Sequence, residues 1–323
     1  MKTGRMMRIS GAVGTLLVSL SLSGDAFADT YNPRTITSDW KMTGTHWGSI
    51  TFGADNITLD CAGNRVHSSS RAKINCVGNT KRCAIMAEGR VGIHITNCVV
   101  VGGSYFDYGV WLDGTTQSSV DTVQVFDPKT SGFHVQNVQG GTVGLWDLEV
   151  TTLMAPVRGA AFELTNVIGI RGARLRHSGS TGAGVIGNDG LLEQDSQDVQ
   201  IADLMLNPGV SNGTGIRLLN SSTSYFYATG NQTLQVHEYA WGVDWQGGSG
   251  NWLDGAAIDH NEENGLRVRG VNWSRFTNNV INNNDEDRSG LCDADQDSAS
   301  LNNTWTNNAI GGRCGTVPTG PGH

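Results

Sequence analysis

Charged side chains of the kinds that move protons and bind anions recur along this chain at similar positions. Histidine can accept a proton, arginine can neutralise a carboxylate, and a carboxylate can serve catalysis or binding. The main series stands between two apolar residues in successive short segments and reads Trp111, His134, Glu163, Ile186, Arg217, Asp244 and Arg267. A second series, two residues further along, includes Asp113 and Asn188. Residues between two buried neighbours of a strand point to solvent, so both series predict an outward-facing line of polar groups.

A ladder of ion pairs is the alternative explanation for this line. Glu163 would lie one repeat from His134, and Asp244 would lie one repeat from both Arg217 and Arg267. Exposed pairs of this kind contribute only ~0–1 kcal/mol each. The residue types favour ion pairing for the Asp244 group and a functional role for His134 and Glu163.

Short repeated strands must position these residues. Seven segments share a small residue followed by alternating apolar residues, and they start at Gly109, Gly132, Ala161, Gly184, Gly215, Gly242 and Gly265. Their first apolar residues are 23 to 31 positions apart. Further strand-like segments repeat between and before them, as at 57–61, 93–100 and 143–150. Two or three short strands per repeat, with no helix between them, predict a coil that stacks on itself and buries its apolar residues.

This pattern resembles the right-handed parallel β-helix superfamily of pectate lyases, polygalacturonases and alginate-modifying enzymes. The resemblance covers roughly residues 50–312 and is carried by 56–64 (NITLDCAGN), 92–103 (GIHITNCVVVGG) and 274–284 (SRFTNNVINNN). It implies an all-β fold, a single-stranded right-handed parallel β-helix of about ten coils with a cap at each end. The expected boundaries are a signal peptide at 1–28, an N-terminal cap at 29–52, the β-helix at 53–284, and a C-terminal cap and tail at 285–323.

The first 28 residues have the features of a secretory signal. Lys2, Arg5 and Arg8 precede a short apolar core, and 26–28 (AFA) forms a small-x-small cleavage site. Its removal changes the formal net charge from −8 to −10, which argues against nucleic acid or anionic membranes as general partners. The 44 glycines suit the turns of one elongated domain. We expect a secreted or periplasmic monomer with no membrane span after signal cleavage.

Six cysteines in an exported protein suggest three disulfide bonds. Cys61 and Cys98 occupy the same place in consecutive strand motifs, on strands that would be ~4.8 Å apart and so within reach of a disulfide. Proximity in sequence favours the other two pairs, which are Cys76 with Cys83 and Cys292 with Cys314.

The superfamily generally places its polysaccharide site in a groove across the middle coils. An enzyme that eliminates or epimerises a uronate must neutralise the C6 carboxylate and then remove the C5 proton. Arg158, Arg174 and Arg176 are the candidate neutralisers, His134 or Lys129 is the candidate base, and Glu163 would flank the groove. With these residue types, our first hypothesis is a lyase that cleaves an acidic glycan by β-elimination. The expected substrate-binding residues are Trp111, Asp113, Arg158, Asn188, Arg217, Asp244 and Arg267.

Other activities on the same fold stay open. The protein could be a non-catalytic carbohydrate-binding or envelope solenoid. Hydrolysis needs two carboxyl groups roughly 5–9.5 Å apart, and Asp113 and Glu163 would be two coils apart, at ~10 Å. Alginate epimerases carry an Asp-Pro-His motif, where this chain has Asp127-Pro128-Lys129. The polygalacturonase signatures are absent.

An alternating acidic run near the C-terminus, formed by Asp293, Asp295 and Asp297, resembles the start of a calcium loop. Ser298 stands where such a loop has glycine, and Thr304 stands where it has the closing glutamate. A solvated acidic turn is the alternative. The sequence requires no cofactor, and Ca²⁺ is the one candidate ion.

Overall fold

The computed structural model describes residues 32–319 apart from 71–72, 77, 79, 104, 154–158, 180–188, 210, 231 and 286–289. Within these ranges every regular element is a β-strand, and we number the strands β1 to β31 in chain order. The described residues contain no apolar helix of bilayer-spanning length. The signal peptide predicted at 1–28 lies outside the described residues.

One face of the molecule, which we call the front wall, is a single sheet of parallel strands with one strand from each coil. Its strands are β1 (Arg34–Ile36), β4 (Ile50–Phe52), β8 (Arg82–Glu88), β10 (Tyr108–Asp113), β12 (Ser131–Gln136), β14 (Ala160–Thr165), β16 (Asp189–Gln194), β19 (Ser211–Leu219), β22 (Tyr239–Gln246), β25 (Leu266–Arg269), β28 (Ala294–Gln296) and β31 (Arg313–Gly315). A short strand, β7 (Ile74–Asn75), runs antiparallel along the edge of β8.

The remaining strands form a second parallel sheet, the bent wall, which completes each coil. Its strands are β2 (Trp40–Lys41), β3 (His46–Trp47), β5 (Thr58–Asp60), β6 (Arg65–His67), β9 (His94–Val101), β11 (Ser118–Phe126), β13 (Val143–Thr152), β15 (Ile170–Gly179), β17 (Gln200–Ala202), β18 (Met205–Asn207), β20 (Tyr225–Tyr227), β21 (Leu234–His237), β23 (Trp252–Asp254), β24 (Ala256–Asp259), β26 (Arg275–Thr277), β27 (Val280–Asn282), β29 (Thr304–Thr306) and β30 (Ala309–Ile310).

The apolar core fills the space between the walls and explains the repeated glycines. One inward column of the front wall reads Val110, Phe133, Phe162, Leu191, Ile216, Val243 and Leu266. A Cβ atom on Gly132 would lie 2.3 Å from Val150 on the opposite wall and 2.9 Å from the carbonyl oxygen of Ala161. Only a residue without a side chain lets the two walls and the next coil approach so closely. The predicted all-β parallel coil is confirmed.

The bend is built from residues with a positive φ angle. In β9, β11, β13 and β15 these residues are Asn97, Thr122, Asp147 and Arg174, with φ between 52° and 57°. A left-handed residue interrupts the alternation of side chains along a strand. Ala173 and Arg174 therefore both face outward, and Leu175 then returns to the core.

Two details of the predicted register need correction. The strand that follows β14 on the front wall is β16, and Leu192 takes the place beside Glu163 that was expected for Ile186, which lies outside the described residues. Parallel pairing also extends into both predicted caps, because β1 pairs with β4 and β28 pairs with β31. The number of coils also differs slightly from the expected ten.

All three predicted disulfide bonds are present. Cys61 and Cys98 lie in the core on adjacent coils with their Cα atoms 4.8 Å apart. Cys76 and Cys83 close the loop that carries β7, with a Cα separation of 5.3 Å. Cys292 and Cys314 join the last coils, with a Cα separation of 5.9 Å.

One acid points into the core. Glu193 stands between Leu164 and Leu218 in an inward column and is 0% exposed. Ser224 donates a hydrogen bond of 2.5 Å to one of its carboxyl oxygens. Burial raises the pKa of Glu193 to about 7, because an ionised carboxylate would lose its hydration there.

Candidate functional site

His134 and Glu163 meet on the front wall, as the repeat register predicts. Nδ1 of His134 lies 3.0 Å from Oε2 of Glu163, and Ser131 donates a hydrogen bond of 2.7 Å to the same oxygen. Burial opposes ionisation of Glu163, but the imidazole and the hydroxyl outweigh it and lower the pKa of this carboxyl. On its other side, Nε2 of His134 lies 3.0 Å from Oε1 of Gln136. Both ring nitrogens are therefore engaged by the protein itself.

Trp111 is not an open platform for sugar, which corrects the sequence-based expectation. Its side chain is 3% exposed, and its ring stacks on His134 with centroids 4.1 Å apart. Tyr108, Met86 and the Cys76–Cys83 loop pack with it into a small apolar cluster outside the front wall. Among the described strands, only β7 in that loop pairs in an antiparallel manner. Trp111 therefore helps to hold the Cys76–Cys83 loop against the front wall.

Further charges of the front wall form ion pairs as well. Arg267 binds both carboxyl oxygens of Asp244, at 2.9 and 2.6 Å, and the Asp244 side chain is only 1% exposed. Arg217 is aligned with Asp244 on the neighbouring strand, as expected, but its guanidinium pairs with Asp189 at 3.2 Å. Burial raises the pKa of Asp189 despite this partner. The described part of this wall is an ion-pair ladder.

The remaining candidates of the front wall do not form a groove in the described residues. Asp113 accepts hydrogen bonds from the amides of Gln136 and Asn137, both of 2.8 Å. Lys129 lies in the turn between β11 and β12, as its neighbours Asp127 and Pro128 suggested. Arg158 and Asn188 lie outside the described residues.

Arg174 and Arg176 lie on the bent wall, and this overturns their predicted place beside His134. Both belong to β15, which pairs with β13 of the same wall, whereas His134 and Glu163 belong to β12 and β14 of the front wall. Arg174 forms a two-contact ion pair with Asp147, which lowers the pKa of that carboxyl. Arg176 is exposed and stands opposite Glu149 in the strand register.

These residues line an open cleft along the inside of the bend, which we call the bend cleft. It has a volume of about 480 Å³ and is lined by Ala62, Gly63, Asn97, Cys98, Val99, Thr122, Gln124, Asp147, Leu148, Glu149, Arg174 and Arg176. Glu149 accepts hydrogen bonds from Gln124 at 3.1 Å and from Ser178 at 3.3 Å. The cleft thus combines carboxylates, guanidinium groups and an amide that are open to solvent.

A second, smaller hollow adjoins the bend cleft, and Arg174 lines both. Trp146, Ala173, Ala202 and Tyr227 align on four successive coils, so the two aromatic rings stand three strand spacings apart, ~14 Å. The two small alanines form the floor of this aromatic slot, whose volume is about 210 Å³. Next to it, Tyr225 stacks on both Tyr227 and Trp252, with centroids 4.3 and 4.5 Å apart.

The three aspartates of the C-terminal run each have protein partners. Asp293 accepts hydrogen bonds from the backbone amides of Asn284 and Gly312. Asp295 pairs with Arg269, and Asp297 accepts hydrogen bonds from Ser300 and Gly270. Calcium binding by these residues stays a prediction.

Solved structures with the same arrangement of walls can be superposed on this chain. The A-modules of two mannuronan C-5 epimerases from Azotobacter vinelandii superpose on the chain. For the AlgE6 module the TM-score is 0.58 at 12% identity, with 88% of this chain and 78% of the module covered. For the AlgE4 module the TM-score is 0.55 at 12% identity, with 87% and 79% covered. The chain is a right-handed parallel β-helix.

No protein-family model and no curated protein matches the sequence of this β-helix. At 12% identity the likeness to the epimerase modules establishes the fold alone. The chemistry must therefore be argued from the residues of this chain.

Sequence reasoning missed most of the bent wall. Trp146 and Glu149 stand in the strand motif at 143–150, whereas Tyr227 belongs to β20, which has no motif among the repeated segments. An aromatic residue at an outward strand position was the available signal for Trp146. The bend at Arg174 could not be seen, because a left-handed arginine has no sequence signature.

Proposed function

We propose that this β-helix binds an acidic polysaccharide along its bent wall and cleaves it by β-elimination. The observation that carries the proposal is the bend cleft, in which exposed Arg176 stands opposite Glu149. Elimination from a uronate requires a cation for the C6 carboxylate and an acceptor for the C5 proton. Arg176 supplies the cation and Glu149 supplies the acceptor.

The reaction is assigned to the residues as follows. Arg176 binds the C6 carboxylate, and this makes the C5 proton more acidic. Glu149 accepts that proton, the C4–O bond breaks, a C4=C5 double bond forms, and water protonates the leaving oxygen. Arg174 is held by Asp147 and so keeps a fixed place at the edge of the cleft.

The aromatic slot supports the binding of sugar rings next to the cleft. Aromatic faces offer large rigid contact area, and nearby polar groups can satisfy hydroxyls. Trp146 and Tyr227 stand at the ends of the slot, and Arg171 at its side is anchored to Asp198 by contacts of 2.7 Å. A chain of several sugar units could therefore lie across the bent wall.

The test is to incubate the mature protein with a panel of uronic-acid polymers and follow the ultraviolet absorbance of the unsaturated product. Arg176→Ala should lower the rate at least about 100-fold, as the loss of one oriented electrostatic group does in other enzymes. Arg269→Ala, which removes a paired arginine from the front wall, is the matched control and should keep the rate. If Arg176→Ala keeps the rate and His134→Ala abolishes it, the active site lies on the front wall and the proposal is wrong.

A non-catalytic glycan binder is the second candidate, and the aromatic slot favours it because stacking needs no reactive group. Under this alternative the polymer retards the protein in affinity electrophoresis while no unsaturated product appears. Trp146→Ala would then weaken the retardation. Absence of both the product and the retardation with every uronate tested would reject both candidates.

We also propose that the protein works outside the cytoplasm as a monomer. Three disulfide bonds, one of them inside the core, suit an oxidising compartment. The signal-like 1–28 segment agrees with export.

A further inference from the structure

Two histidines and an aspartate converge at the corner where the bent wall turns toward the front wall. His237 ends β21, Asp259 ends β24 one coil later, and His260 follows Asp259 directly. One ligand atom from each residue lies within 4.8 Å of the other two. None of the three belongs to the bend cleft or to the aromatic slot, so the cluster is independent of the proposed function.

The backbone turns His260 toward its neighbour. Successive residues of a strand normally point to opposite faces, which would separate Asp259 and His260. His260 has φ of 54°, a left-handed conformation that is uncommon outside glycine, asparagine and aspartate. As a result Nδ1 of His260 lies 3.5 Å from Oδ1 of Asp259. Nδ1 of His237 contacts the same oxygen from the preceding coil.

Three side chains, from His237, Asp259 and His260, meet at one point, which we call the focus. An ion pair would need only two of them. The side chains of His237 and Asp259 are 20% and 25% exposed, so the focus is partly shielded, while His260 is 56% exposed and leaves a path for entry. Glu238 lies one coil from His260 in the same turn, where its backbone N–H donates to the His260 carbonyl.

We infer that His237, Asp259 and His260 form a binding site for a divalent transition-metal ion of the zinc class. Two imidazole nitrogens and one carboxylate oxygen are a common three-residue set for Zn²⁺, with the fourth position open to water. Nitrogen ligands disfavour Ca²⁺ and Mg²⁺, which take oxygen ligands. Zn²⁺ binds such ligands at about 2.0–2.2 Å, and the three ligand atoms here already lie within 4.8 Å of one another.

The site links two consecutive coils, so metal binding should also stabilise the fold. An ion that binds only the native state raises the melting temperature, and the stabilisation grows with the logarithm of the free ion concentration once that concentration exceeds Kd. Protons compete with the metal for the imidazoles, so affinity should fall as the pH is lowered.

The experiment is equilibrium dialysis of the full mature protein against Zn²⁺, followed by metal analysis and competition with a chromophoric chelator. The wild type should retain one Zn²⁺ per chain, and bound Co²⁺ should show the visible absorption of a low-coordinate site. His237→Ala and His260→Ala should each weaken binding by about tenfold or more. Asp259→Asn preserves shape and should also weaken binding, which keeps the test valid if an alanine variant unfolds.

His94→Ala is the matched control, because His94 is an exposed histidine that contacts Ser119 and lies outside the cluster. It should bind zinc like the wild type. Failure of the wild type to retain Zn²⁺, or equal retention by the wild type, His237→Ala and His260→Ala, would overturn the assignment.

Discussion

The front and bent walls both carry acids and arginines, but the two walls hold them in different surroundings. On the front wall the Asp244 side chain is 1% exposed and is held by both contacts of Arg267. On the bent wall Asp147 and Arg174 are 42% and 40% exposed and line an open cleft. Charges that are buried against each other stabilise a fold, whereas charges that reach solvent can bind a ligand. The comparison therefore assigns structure to the front wall and recognition to the bent wall.

The two tryptophans Trp111 and Trp146 give the largest contrast. Trp111→Ala should lower the free energy of unfolding by about 3 kcal/mol, because the ring is buried between His134 and the disulfide loop. It should leave glycan affinity unchanged. Trp146→Ala should change stability much less and weaken glycan binding about 3- to 10-fold. Urea denaturation and affinity electrophoresis measure the two effects, and exchanged roles of the two residues would contradict the comparison.

The two ion pairs provide the next contrast. Asp244→Ala leaves Arg267 without its partner in a mostly buried position and should cost about 3 kcal/mol. Asp147→Ala breaks an exposed pair and should cost less than about 1 kcal/mol. Both values come from urea denaturation at neutral pH. If the two substitutions lower the free energy of unfolding equally, the ion pairs of the two walls do not differ in their contribution to stability, which would contradict the comparison.

Glu193 is a buried acid on the inner side of the front wall, and its protonation should make stability depend on pH. Its pKa is raised to about 7 in the folded protein, so the native state holds this proton more tightly than the unfolded chain. Its contribution to stability is therefore largest below the unfolded pKa of about 4.5 and is lost as the pH rises to 7, by roughly 3 kcal/mol. Glu193→Leu should remove this pH dependence, since leucine occupies the aligned positions 164 and 218. An unchanged difference between stabilities at pH 4.5 and 7.5 would refute this account.

The fold and the disulfide bonds could be predicted because they depend on local rules. Alternation sets what points inward, and a crowded core imposes glycine at positions such as 132. Cys61 and Cys98 follow from the register of adjacent coils. The same register brings His134 to Glu163.

The location of the candidate site could not be predicted in the same way. Which wall displays a residue depends on where each coil bends, and the bend is set by backbone conformations such as that of Arg174. The cover over Trp111 comes from a loop between Cys76 and Cys83 that has no repeat to align with. In the middle coil, the glycine and apolar pattern that starts at Gly184 precedes β16, and the residue that aligns with Phe162 is Leu191 rather than Val185.

Hydrogen exchange with and without a bound uronate polymer tests the central claim most directly. The account predicts that the polymer slows exchange in β13, β15, β17 and β20 of the bent wall and leaves β12, β14 and β16 of the front wall unchanged. Peptides from the two walls are measured in the same sample, so each serves as the control for the other. Slower exchange confined to β12, β14 and β16 would contradict the account.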